Sequence, residues 1–121
     1  MTVTNVDVKT LKADVGSGGI QLGRVKAARV NVDAGSGGVD VDLVSTVDEL
    51  LVDAGSGGVT IRLPAAQGAD LDIETGSGGI VSDFAVQTTR FSKNHLRGRI
   101  GDGRAQIRIE SGSGSVRLLK N

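Results

Sequence analysis

The sequence predicts an all-β, single-domain parallel β-solenoid (β-helix) of about six coils with a period of about 20 residues. Three observations carry this. Gly-Ser-Gly begins at Gly16, Gly35, Gly55, Gly76 and Gly112, with spacings of 19, 20, 21 and 36 residues. On both sides of each copy, apolar and polar residues alternate with the two-residue period of a half-buried strand. And the apolar residues are Val, Ile, Leu and Ala, with only 2% aromatic residues and 19 glycines, which suits thin, evenly stacked layers.

The elements follow in chain order. "TVTNVDVK", Thr2 to Lys9, alternates weakly, and residues 1–10 read as a strand capping the N-terminal end. Strands entering the corners are "ARVNVDA", "DELLVDA", "ADLDIET" and "AQIRIES". Strands leaving them are "GIQLG", "GVDVDL", "GVTIRL", "GIVSDF" and "SVRLL". "STVDELLVDA", Ser45 to Ala54, comes nearest to a helical stripe, but its place in the repeat argues for a turn and then a strand. Each period then makes one coil of two strands and two corners, hydrogen-bonded in parallel to the next coil about 4.8 Å away. No coil buries its apolar face alone; stacking does. Glycine supplies the backbone angles of the corner. The serines Ser17, Ser36, Ser56, Ser77 and Ser113 are expected to point inward and bond to one another. "RIGDGRAQ", Arg99 to Gln106, falls where a degenerate further corner is due. Residues 84–100, "FAVQTTRFSKNHLRGRI", lack the corner motif and hold both Phe residues and the single His. They read as an irregular coil or loop excursion, and a functional appendage would lie here.

"LDIETGSGGIVSDF" and "LRGRIGDGRAQIRIESGSGSVRLL" resemble the bacterial putative-adhesin family, a domain of unknown function with a β-solenoid built from Thr/Ala-Gly-Ser-Gly units. The resemblance runs from about Leu11 to Leu119. It implies a non-catalytic structural or adhesive binding module of a bacterial cell-envelope or surface protein, in an extracytoplasmic setting. It carries over no catalytic residue. The alternative is a self-assembling β-helical scaffold that polymerises through its coil ends, which expose unpaired strands.

Composition narrows the chemistry. Cys is absent, so disulfides, thiolate metal sites and a Cys nucleophile are excluded. No run of 18 apolar residues offers a membrane span, and the opening "MTVTNVDVKTLK" lacks the apolar stretch of a cleavable signal. The glycine corners lack the Lys and Ser/Thr of a phosphate-binding loop. A Ser-His-Asp site would need His95 beside a specific Ser and acid, and Ser92 and Asp102 are merely nearby in sequence, so no enzyme is expected. Asp14, Asp33, Asp53, Glu74 and Glu110 precede the corners at equivalent positions and should stack into a carboxylate column. Oxygen ligands suit Ca²⁺, so this column is where a cation would sit; solvated turn residues are the commoner outcome, and no cofactor is expected. After the corner, Asp42, Arg62 and Asp83 alternate in sign and should fix register.

Net charge is zero but unevenly spread. Residues 1–29 carry +3, residues 30–83 carry −9 and residues 84–121 carry +6. If sequence order is spatial order, an acidic waist lies between basic ends. Arg90, Lys93, His95, Arg97 and Arg99 are then the candidate ligand-contact surface. Arg104 and Arg108 extend the basic set, but without aromatic residues to stack bases no nucleic acid is expected. The expected partner is a surface ligand or protein, with homo-oligomers by end-to-end or edge pairing as a second route.

Overall fold

The computed structural model describes residues 2–64, 67–76, 78–83, 87–91 (backbone only) and 95–120. Among the described residues thirteen strands lie in two sheets: β1 (Thr2–Asp7), β2 (Thr10–Val15), β3 (Ile20–Lys26), β4 (Arg29–Ala34), β5 (Val39–Leu43), β6 (Glu49–Ala54), β7 (Val59–Leu63), β8 (Ala69–Thr75), β9 (Ile80–Ser82), β10 (Gln87–Phe91), β11 (His95–Ile100), β12 (Ala105–Ser111) and β13 (Val116–Lys120). Among the described residues there is no helix, and so none long and apolar enough to cross a membrane.

Each Gly-Ser-Gly joins a strand of one sheet to the following strand of the other, giving a rung. In chain order the rungs are β2–β3, β4–β5, β6–β7, β8–β9 and β12–β13. Alternation along each strand sends Val30, Val32 and Ala34 inward from β4, and Val39, Val41 and Leu43 inward from β5. Repeated down the stack, these aliphatic layers form one continuous core between the sheets. Aliphatic side chains with few rotamers fill the narrow interior where aromatic rings would not.

The spatial order corrects the expectation that sequence order is stacking order. One sheet runs β1-β3-β5-β7-β13-β9 and the other β10-β11-β8-β12-β6-β4-β2. The last rung in sequence sits between the third and the fourth. The 36-residue gap between the last two corners is filled by β10 and β11, an antiparallel pair added to the edge of β8. The described part of segment 84–100, β10 and β11, therefore extends one sheet only. "RIGDGRAQ" is also not a corner. Residues 101–104 form a turn that carries the chain from β11 past the start of β8 to β12, with Gly101 and Gly103 at φ of 58° and 66°. The Ala105 N–H donates to the Gly68 carbonyl there at 3.2 Å.

The corner serines are not inward either. Ser17 is exposed, and Ser36, Ser56 and Ser113 are half-buried; Ser77 lies outside the described residues. The inward hydroxyls come from the residue before the glycine. The Thr75 Oγ1 donates to the Gly78 carbonyl at 3.4 Å, and the Ser111 Oγ faces the Gly57 and Ser113 carbonyls at 3.1 and 2.7 Å. Backbone bonds carry the ladder through the corner: the Gly35 N–H donates to the Val15 carbonyl, Gly55 to Ala34, Gly112 to Ala54 and Gly76 to Ser111.

With the fifth rung inserted, the acidic waist between basic ends is gone. The basic strands β11 and β12 flank the acidic strand β8 on either side. The alternating column also changes: Asp42 pairs with Arg62, but Arg62 then meets Leu119 of the inserted rung, and its guanidinium reaches Asp40 at 3.4 Å.

Candidate functional site

The outer face of the seven-stranded sheet carries three rows of side chains, each perpendicular to the strands. The row nearest the corners reads Asp14, Asp33, Asp53, Glu110, Glu74, His95. This is the expected carboxylate column, with Glu110 moved inside Glu74 and His95 ending it. Parallel strands space its members evenly instead of converging them, and among the described residues no three acidic or His groups gather where a metal ion could be held. The middle row reads Lys12, Asn31, Leu51, Arg108, Asp72, Arg97, and the third Thr10, Arg29, Glu49, Gln106, Asp70, Arg99.

Around β8 these rows build a trough. Asp70 and Asp72 are short and lie along β8. Arg97 and Arg99 rise from β11 on one side, Gln106 and Arg108 from β12 on the other, and Leu51 of β6 closes the edge. The resulting groove holds about 820 Å³. Arg99 Nε lies 3.1 Å from Asp70 Oδ1, and His95 Nε2 lies 2.7 Å from Asp72 Oδ1, on the diagonal from its register partner Glu74. Arg108 Nε is 3.8 Å from Glu110 Oε1. The two Arg pairs are exposed, and pairs of that kind each contribute only about a few tenths of a kcal/mol, so a ligand can replace them at small cost.

Of the residues singled out from sequence, His95, Arg97 and Arg99 share the outer face of β11. Arg90 lies in β10, where its backbone pairs with Arg97; Lys93 lies outside the described residues. The three are not an open basic patch: Glu74, Asp72 and Asp70 stand opposite them in register. His95 and Asp102 are not brought together, since Asp102 pairs with Arg104 at the turn and Asp72 is the carboxylate at His95; Ser92 lies outside the described residues. Sequence reasoning missed Asp70 and Asp72 as the residues opposite β11, and Gln106, Arg108 and Leu51 as the far side of the same groove. Alternation places each on the outer face, but no local signal tells which strand lies beside β8.

A family model described as Toastrack DUF4097 matches residues 1–119. No curated protein matches the chain. In fold it is similar to a solved structure from Clostridium sporogenes, named a putative cell adhesion protein. The TM-score is 0.64 at 20% identity, over 94% of this chain and 56% of that one. The chain thus spans little more than half the length of that neighbour, and at this identity the likeness shows the fold alone.

Proposed function

We propose that this chain, which belongs to the Toastrack DUF4097 family, is a non-catalytic binding module of a bacterial cell-envelope protein, acting outside the cytoplasm, with the trough over β8 as its contact face. The observation that carries the reading is an outward groove lined by Arg97, Arg99 and Arg108 over Asp70 and Asp72, held by exchangeable ion pairs. The neighbour of similar fold, named a putative cell adhesion protein, supports the setting. The ligand class that suits the lining is a polar chain with spaced anionic groups. Three guanidiniums outnumber two carboxylates, and planar Arg forks pair with carboxylate or phosphate.

The test is co-sedimentation of the purified chain with isolated bacterial cell walls at low and high salt. The wild type is expected to pellet with them at low salt. An Arg97→Ser/Arg108→Ser double variant should bind at least about tenfold more weakly, a loss of about 1.4 kcal/mol. Absence of binding by the wild type, or equal binding by the variant, would remove the reading. The end-to-end scaffold finds less support. Beyond β8 and β9 one sheet gains β11 and β10 while the other gains no described strand, so that end offers no complete rung to a second copy.

A further inference from the structure

The rung order divides the chain into two halves that meet along one seam. Residues 2–63 build β1 to β7, and residues 69–120 build β8 to β13. Among the described strands, β8 is bonded only to β11 and β12, and β9 only to β13. In sheet pairing, everything from Ala69 onward is therefore fixed to the first three rungs through β12 on β6 and β13 on β7. Gln106–Ser111 lies opposite Glu49–Ala54, and Val116–Lys120 opposite Val59–Leu63, without a bulge.

The seam repeats the other rung boundaries. Ile107 and Ile109 layer on Leu50 and Val52, Val116 and Leu118 on Val59 and Ile61, all buried. At the corner the Gly112 N–H donates to the Ala54 carbonyl, as Gly55 does to Ala34 and Gly35 to Val15. The Val59 N–H donates to the Ser115 carbonyl, as Val39 does to Gly58 and Ile20 to Gly38. One connection, residues 64–68, joins the halves. Nothing in the seam distinguishes a chain's own C-terminal half from that of another copy.

We propose that this seam is also an interface between copies: β12 and β13 of one chain dock on β6 and β7 of a second, and the reciprocal docking closes a two-fold dimer. Such an exchange keeps the strand pairing of the seam, and only the connection 64–68, where the Gln67 N–H donates to the Pro64 carbonyl, must be remade. The tethered half competes at an effective concentration of roughly millimolar, so the monomer prevails in dilute solution and exchange prevails where copies are crowded. The partner is a second copy, and the proposal is independent of the trough and its ligand.

The chain has no Cys, which allows a direct test. Asp53 and Glu110 are exposed and directly opposite across the seam, in adjacent parallel strands whose spacing suits a disulfide. Full-length Asp53→Cys and Glu110→Cys chains are mixed, unfolded, refolded together at about millimolar concentration, diluted and then oxidised. The expected result is a dimer linked 53–110, in excess over the 53–53 and 110–110 dimers that random collision makes. Its yield should fall at least tenfold when refolding is done at about a thousandth of that concentration. The double variant Asp53→Cys/Glu110→Cys, refolded dilute, should close the bond within one chain and so show that a folded seam accepts it. With that bond closing, a mixture that yields no cross-linked dimer, or only the statistical proportions of the three, overturns the proposal.

Discussion

Gln67 is 3% exposed, and its side chain holds two stretches of backbone together. The Val47 N–H donates to its Oε1 at 2.8 Å, and its Nε2 donates to the Val47 and Gly68 carbonyls at 3.2 and 2.8 Å. The loop before β6 is thereby tied to the connection before β8. Gln67→Ala strands a buried N–H and a buried carbonyl, so it should cost about 3 kcal/mol in urea unfolding. A loss under about 1 kcal/mol would mean that water takes over the site. Arg24 shows the opposite case, an exposed residue in an unfavourable conformation. It sits at φ 54°, beside Asn5 at φ 56°, where β3 places two residues against one of β5. Asn tolerates left-handed backbone and Arg does so poorly. Arg24→Gly should leave stability equal or raise it by about 0.5 kcal/mol, whereas Arg24→Val should lower it by about 1–2 kcal/mol. Thermal melts of the pair would show the split. Neither residue announces itself in sequence, because a buried Gln and a left-handed Arg are set by the chain that lies across from them. The inward hydroxyls were misplaced for a related reason. Ser111 and Thr75 continue the alternation of their strands and so point inward, while the serines in the glycine motif sit past the strand end, where period-two reasoning stops.

The corner has two kinds of glycine, and they should respond differently to substitution. Gly57 lies at φ 97°, and a Cβ there would stand 2.6 Å from the Gly37 carbonyl carbon and oxygen of the neighbouring rung. Backbone cannot yield as a side chain would, so Gly57→Ala should cost about 3 kcal/mol. Gly58 follows it at an ordinary φ, and its Cβ would meet only the Ser115 carbonyl oxygen at 3.4 Å. The fifth rung already carries Ser115 at the equivalent place. Gly58→Ser should therefore change stability by less than about 0.5 kcal/mol. Chemical denaturation of both variants checks the contrast; equal costs would mean that the corner senses side-chain bulk alone. At this scale much was legible. Alternation around each corner marks the entering and leaving strands, including β6, where a weak helical stripe competes. The trough was half legible. His95, Arg97 and Arg99 lie in the one segment that breaks the repeat, but their partners Asp70 and Asp72 lie in an ordinary rung and become partners only through the pairing of β11 with β8.

Across the whole molecule, the stacking order is what the repeat hides. Every rung offers the same Gly-Ser-Gly corner and the same aliphatic layers, so the period specifies what a rung is but not which rung it touches. Charge would favour the observed order, since β8 with Asp70, Asp72 and Glu74 gains Arg108 on one side and Arg97 and Arg99 on the other. That preference emerges only when both neighbours of β8 are considered together. The order also reverses a common expectation about chain ends, which usually tolerate change because they lie at edges. Here β13, the last strand, is interior, bonded to β7 and β9, while β1 is an edge bonded to β3 alone. Leu118 is fully buried near the C-terminus, and Val6 is half-buried near the N-terminus. Leu118→Ala should cost about 3 kcal/mol, as buried leucines do, and Val6→Ala only about 1 kcal/mol. The two substitutions should also differ in reach. Opening at β13 releases β9 as well as the bond to β7, so hydrogen exchange in Leu118→Ala should accelerate across β8 to β13 together. In Val6→Ala the acceleration should stay within β1 and its neighbour β3. Local exchange confined to β13 in the first variant would show that the inserted rung is an independent appendage and not the joint between the two halves.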